Sequence, residues 1–182
     1  MSKSGKPCLK QGKLQLRQPN QPNVVVSVDL FGPITYKGGK IYVLTMVDVF
    51  SKWVEVAFCR NKQMETIAKA FLDSWVLNHS VPVSVISDRG TEFLNNFFKS
   101  LNAMLGIHNL FTTAYHPRGN PAERIHQLFK SAIKRTFNDG GDWIQGLKYI
   151  RSAYNNSVID GYGYSPFFLE KGYYPQIGRA HV

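Results

Sequence analysis

From Val24 to Phe31 the chain reads Val-Val-Val-Ser-Val-Asp-Leu-Phe, apolar at almost every position. Such a run predicts a central strand covered on both faces, not an edge strand with one wet side. Ile41 to Val49 and Val54 to Cys59 have the same character and are set off by Gly38-Gly39 and by Phe50-Ser51-Lys52. Three strands with connections this short predict an antiparallel meander. From Gln63 the period changes, with Met64, Ile67, Ala68, Phe71, Leu72 and Trp75 recurring at the spacing of a core-facing helix. Beyond Pro82, Val83 to Ile86 predicts a fourth, buried strand, stopped where Ser87-Asp88-Arg89-Gly90 permits a tight turn. A helix over about Asn95 to Leu105 and a fifth strand near Asn109 to Thr112 follow.

Proline suits the first turn of a helix, so Pro121 predicts a helix start close to Glu123. On this helix Ile125, Leu128, Phe129, Ala132 and Ile133 form the apolar face, while Glu123, His126, Gln127, Lys130 and Lys134 share the other side. After Gly140-Gly141 a last long helix carries Trp143, Leu147, Ile150 and Tyr154, and the aromatic segment Tyr162 to Tyr174 packs down or supports a partner.

The acids differ in what their surroundings ask of them. Asp29 interrupts a buried strand, a costly position unless the carboxylate is paired or bound to a metal. Asp88 falls at the C-terminal edge of a strand, where ligands bind in open α/β sheets. Asp48 lies beside a turn, where Ser51 and solvent satisfy it, so its role is structural. From the residues alone, a hydrogen-bonded core aspartate is the alternative for Asp29, and a solvated charged face the alternative for the helix beginning near Glu123.

Composition narrows the partner more than the chemistry. With 22 Lys plus Arg against 12 Asp plus Glu, the net charge of +10 favours a polyanion such as nucleic acid. Residues 1–23 hold Lys3, Lys6, Lys10, Lys13 and Arg17 with no acid and no apolar period, the signature of a flexible basic arm. Cys8 and Cys59 stand far apart and outside any CxxC pattern, which argues against a disulfide framework or a zinc site. No apolar run approaches the roughly 20 residues of a membrane span. A soluble, intracellular protein of one domain, without a membrane partner, is expected.

The motifs, taken in order, resemble one family. They are Val28-Asp29-Leu30-Phe31-Gly32-Pro33, Val47-Asp48-Val49-Phe50-Ser51-Lys52-Trp53, Ser87-Asp88-Arg89-Gly90-Thr91-Glu92-Phe93, Thr113-Ala114-Tyr115-His116-Pro117, Glu123-Arg124 and Gly163-Tyr164-Ser165-Pro166-Phe167-Phe168-Leu169-Glu170-Lys171-Gly172. Together they resemble the catalytic core of retroviral and Ty3/gypsy-type retrotransposon integrases. The resemblance implies an α/β, ribonuclease H-like fold over residues 24–176, a five-stranded mixed sheet, antiparallel and then parallel, with helices on both faces. It also implies a triad of carboxylates, Asp29, Asp88 and Glu123, gathering two Mg²⁺ or Mn²⁺ ions for in-line phosphoryl transfer. DNA is the implied partner, with Ser51, Lys52, His116, Arg118, His126, Gln127 and Lys130 as contacts beside the site. A homo-oligomer acting in the nucleus follows from the same likeness. The alternatives are a decayed or domesticated DNA-binding module of this fold and, third, a ribonuclease H-type nuclease.

The likeness has departures. Between Asp88 and Glu123 the chain has one residue fewer than the family pattern, the loss falling in Gly119-Asn120-Pro121-Ala122, and His126 stands where the family usually has Asn. If the helix start were fixed, one lost residue would turn the carboxylate by roughly 100°. The family's upstream His-His-Cys-Cys zinc module and downstream DNA-binding sequence are missing, so the chain is expected to be a fragment. Residues 177–182, Ile-Gly-Arg-Ala-His-Val, resemble a translated sequencing adapter and are read as a non-native tail.

DNA affinity should therefore be tolerant of sequence and fall steeply with salt. Deleting residues 1–17 removes Lys3, Lys6, Lys10, Lys13 and Arg17, and should flatten the slope of log affinity against log salt. Fluorescence anisotropy across a salt series checks this, and an unaltered slope would contradict it.

Overall fold

The computed structural model describes residues 19–87, 104–111, 123–138 and 142–175. Five strands form one sheet: β1 (Val25–Tyr36), β2 (Gly39–Asp48), β3 (Val54–Cys59), β4 (Ser84–Ser87) and β5 (His108–Phe111), in the order β3-β2-β1-β4-β5. β1 to β3 pair antiparallel, as short hairpin connections require, whereas β4 lies parallel to β1 and β5 parallel to β4. The apolar run containing Asp29 is thus the middle strand, with neighbours on both edges.

Strand alternation sends successive side chains into two cores. On one face Val26, Val28, Leu44, Met46, Ala57 and Cys59 pack against Ile67, Phe71 and Trp75 of helix α1, residues 64–79, which is π-wound over Leu72–Val76. On the other, Val43, Val47, Val54 and Val56 pack against Ile125, Phe129 and Ile133 of α2 (Glu123–Asn138) and Trp143 and Leu147 of α3 (Trp143–Asn156). Helices cover both faces, as an α/β fold requires. No helix among the described residues is long and apolar enough to cross a membrane.

The local devices are legible. Asp142 caps α3, its carboxylate accepting from the Ile144 and Gln145 amides. Ser165 caps the short α4 (Pro166–Lys171), Pro166 opens it, and Gly172 closes it at φ 78°. β1 runs five residues beyond the expected Phe31, passing through a register shift between Phe31 and Ile34. That shift absorbs Pro33, which has no ladder N–H, and Gly32 sits so close to β2 that a Cβ there would meet the Ile41 carbonyl oxygen at 2.9 Å. Of the expected helix ending at Leu105, only Met104 and Leu105 lie within the described residues, and both are helical. Most of the basic arm and the last seven residues also fall outside them. Asn23, read from composition as the end of a flexible arm, is instead bound into the fold. Its side chain donates to the His79 carbonyl at 2.7 Å and accepts from Trp75 Nε1 at 2.9 Å, while its amide donates to Asp48.

At the β3 edge the last helix is held by charge. His79, at the end of α1, lies 2.8 Å from Glu170 of α4 and 3.6 Å from Glu55 of β3, against the ring of Trp75. Glu55 also accepts from Trp53 Nε1 at 2.9 Å and pairs with Arg151 of α3. Burial alone would lower the His79 imidazole, but the two carboxylates outweigh it and hold it above its ordinary value. Burial would likewise raise Glu55 and Glu170, yet His79 and its neighbours keep both below theirs.

These directions set a pH window. A raised histidine contributes fully below its ordinary 6.5 and is lost as pH climbs through its folded value, whereas the lowered glutamates contribute above their ordinary 4.5 and are lost as pH falls. The clamp is strongest between these two values. His79→Gln should cost roughly 3 kcal/mol inside that window and less on either side. Urea denaturation of both proteins across pH measures the difference, and a difference independent of pH would refute the clamp.

Candidate functional site

Period-two alternation places Ser27, Asp29 and Phe31 on the face of β1 that receives α2. Asp29 is a quarter exposed, and the Lys130 ammonium of α2 lies 2.6 Å from its Oδ2. The contact is an ion pair off the hydrogen-bonding direction, since Oδ2 is buried without a hydrogen bond among the described residues. Lys130 also stands over the Phe31 ring, 5.7 Å from its centre.

One turn earlier on α2, His126 is buried between β1 and β2. Its Nε2 lies 3.2 Å from Ser27 Oγ and its Nδ1 2.7 Å from Thr45 Oγ1. The Thr45 hydroxyl donates to the Asp29 carbonyl at 3.2 Å, so it accepts from His126. The proton of the neutral ring therefore sits on Nδ1, and Nε2 accepts from Ser27. Burial pushes the imidazole down to about 4, against the attraction of Asp29 and with the help of Lys130, so the ring is uncharged at neutral pH. A chain of hydrogen bonds thus runs from the helix, through Thr45, to the backbone of the carboxylate residue.

The other expected site residues divide. Asp88, His116 and Arg118 lie outside the described residues. Glu123 is the first residue of α2, seven positions before Lys130, so their Cα positions differ by only about 20° around the axis. Gln127 is exposed. Ser51 and Lys52, read as DNA contacts, are buried. Ser51 lies between Asp48 Oδ2 at 2.7 Å and Glu170 Oε2 at 3.1 Å, and Lys52 donates to the Val49 carbonyl at 2.5 Å. The turn after β2 is tucked beneath the C-terminal segment, with Lys52 Nζ over the Tyr162 ring. Asp48 is structural, as read, but Ser51 and Asn23 satisfy it in place of solvent, and burial raises its pKa against their hydrogen bonds.

His126 and Leu128 exchange the places assigned by hydropathy: the histidine is in the core and the leucine is half exposed. Ser27 and Thr45 were missed as site residues. Their signal was a hydroxyl on each of two neighbouring apolar strands, with an imidazole available on the helix above. Among the described residues no three His, Cys, Asp or Glu side chains group to hold a metal.

Residues 19–117 match the family model described as integrase core domain. The retrovirus-related Pol polyprotein from transposon 412 of Drosophila melanogaster is 29% identical over 150 residues, 81% of this chain and 12% of that protein. The Gag-Pol polyprotein of avian reticuloendotheliosis virus is 30% identical over 156 residues, 82% of this chain and 13% of the other. At 12% and 13%, the chain spans about an eighth of the length of these relatives. Among solved structures, the HTLV-2 integrase catalytic core domain in complex with magnesium superposes with a TM-score of 0.64 at 21% identity, over 83% of this chain and 98% of that one in its trimeric form. Its dimeric form gives the same TM-score of 0.64.

Removing the imidazole by His126→Ala would take one partner from each of two buried hydroxyls and leave a cavity, and should destabilise the fold by roughly 2–4 kcal/mol. Urea denaturation with an unchanged slope checks this. A loss under about 0.5 kcal/mol, the range of ordinary surface changes, would remove His126 from the core network.

Proposed function

The chain belongs to the integrase core domain family, and we propose that it is the catalytic part of a polynucleotidyl transferase that cuts and joins DNA. In the first step water attacks a phosphodiester near the end of the element's DNA and displaces the 3′ fragment. In the second, the freed 3′-hydroxyl attacks a phosphodiester of target DNA, forming one P–O bond as another breaks. Neither step needs a covalent bond to the enzyme.

The observation that carries this reading is Asp29, a carboxylate in the middle strand whose Oδ2 faces the Lys130 ammonium and, among the described residues, makes no hydrogen bond of good geometry. Two further features support it. Val28 pairs with Ser87 in parallel register, and Asp29 and Asp88 are the next residues in sequence after the two members of that pair. Glu123 stands on the same helical stripe as Lys130, which already touches Asp29. An all-oxygen donor set suits hard divalent cations, so Asp29, Asp88 and Glu123 would hold two Mg²⁺ or Mn²⁺ ions. When bound, the ions supply Lewis-acid stabilisation to the attacking and leaving oxygens of an in-line displacement.

The chain's own residues do the positioning. β1 carries Asp29 on a paired strand, and Thr45 ties its carbonyl to the helix. Lys130 and Gln127, with His116 and Arg118, would bind DNA phosphates beside the carboxylates. Ser51, Lys52 and His126 take no part in that contact, being buried. The HTLV-2 core's dimeric and trimeric forms make a homo-oligomer the natural proposal here, and joining to target DNA would take place in the nucleus. A DNA-binding relic of the fold is the second reading, favoured by the ammonium that already occupies Asp29.

A strand-transfer assay with Mn²⁺, donor-end DNA and target DNA separates these readings. Wild type should form joined product, and Asp29→Asn or Asp88→Asn should reduce it to background while leaving DNA binding intact. DNA binding without product would favour the relic, and cleavage without joining would favour a nuclease.

A further inference from the structure

The Asp29 carboxylate is already paired with a cation, and that cation is part of the chain. The Lys130 ammonium reaches Oδ2 at 2.6 Å, both side chains being about a quarter exposed at 24%. A carboxylate this withdrawn from water is costly to leave unpaired, so the lysine offsets a penalty that a divalent ion would otherwise offset. Its position is set by the helix. His126, four residues before Lys130, fixes the rotation of α2 over β1 through Ser27 and Thr45, and Ile125, Phe129 and Ile133 anchor the same turns in the core. The Phe31 ring, on the same face of β1, gives the ammonium a second resting surface at 5.7 Å.

We propose that Lys130 is a tethered counter-cation for Asp29, holding the carboxylate until a divalent ion binds and then being displaced from it. The proposal rests on the metal reading of Asp29 given above. Two positive centres cannot share Oδ2 without strong repulsion, so an ion entering at Asp29 must drive the ammonium off. Lysine can yield, because its charge sits on a flexible four-carbon stem and is readily rehydrated or paired with a phosphate. Lys130 therefore weakens metal binding in the free protein. Its release supplies a cation for the DNA backbone only once the site is loaded, which orders the two events. The helix itself need not move, since its anchors lie in the core and the lysine stem alone swings.

The test is Mn²⁺ binding without DNA, followed by titration calorimetry and by the shift in thermal unfolding, for wild type, Lys130→Gln, Lys130→Arg and Asp29→Asn. Lys130→Gln should bind Mn²⁺ about tenfold more tightly than wild type. Lys130→Arg, which keeps the charge, should stay within about threefold of wild type, and Asp29→Asn should lose most of the binding. If wild type binds, Asp29→Asn does not, and Lys130→Gln is no tighter, the counter-cation proposal falls while the metal reading stands. If neither wild type nor Lys130→Gln binds Mn²⁺, both fall. Thermal unfolding without metal shows whether each variant is folded, so a misfolded protein is not mistaken for a weak binder.

Discussion

A carboxylate in the middle strand of a sheet has to be compensated, and much of the surrounding architecture follows from how Asp29 is. Water cannot do it fully, because β2 and β4 flank the strand and α2 covers its face. The compensation comes from a cation on α2, and that helix must then be held in one rotation over β1 for the cation to arrive. Apolar packing alone specifies helix rotation loosely, since Ile and Phe tolerate small slides. His126 specifies it tightly, because each ring nitrogen has a single hydroxyl to meet, Ser27 on β1 and Thr45 on β2. A neutral imidazole with both nitrogens satisfied costs little to bury. The same ring charged would cost far more, and its low pKa is the expression of that difference.

The opposite edge of the sheet solves a different problem with charged groups. There α1, β3, α3 and α4 meet around His79, Glu55, Glu170 and Arg151. Two carboxylates so deeply placed would repel, but a histidine between them and an arginine beside Glu55 turn the repulsion into a clamp. Ser51 extends it to Asp48 and the β2–β3 turn. The C-terminal segment is thereby bound to the sheet by polar contacts, while the Asp29 face joins an apolar core to the His126 hydrogen bonds and the Lys130 ion pair.

This division explains which parts of the sequence were readable. The meander and the helix stripe came from hydropathy patterning, and β3 was placed at Val54–Cys59 to the residue because its run lies between the Phe50-Ser51-Lys52 turn and Arg60. The face of α2 was misjudged by about one step, because hydropathy ranks His126 and Leu128 as isolated side chains. It cannot register that two hydroxyls wait on neighbouring strands to satisfy an imidazole, and pairing across ninety-nine and eighty-one positions is invisible to local patterns. Ser51 and Lys52 failed for a related reason. A Ser-Lys turn is usually a surface feature, but this one is roofed by Tyr162 and Glu170, more than a hundred residues on. Asp29 was legible for the converse reason, since its cost can be read from its immediate neighbours alone.

The missing residue before Glu123 can be weighed by the same logic. A deletion turns a helix face only if the helix is held from the side on which the deletion falls. Here α2 is held from within and downstream, by Ile125, His126, Phe129 and Ile133 against the sheet, and by the α3 contacts beyond. Its rotation is therefore decided after position 123. Lys130 reports that rotation directly, because its ammonium reaches Asp29. With Glu123 about 20° from Lys130 around the axis, the acid's backbone lies on the stripe that meets β1, not on the far side of the helix. The missing residue therefore leaves the rotation of the helix, and the backbone position of Glu123 on it, unchanged.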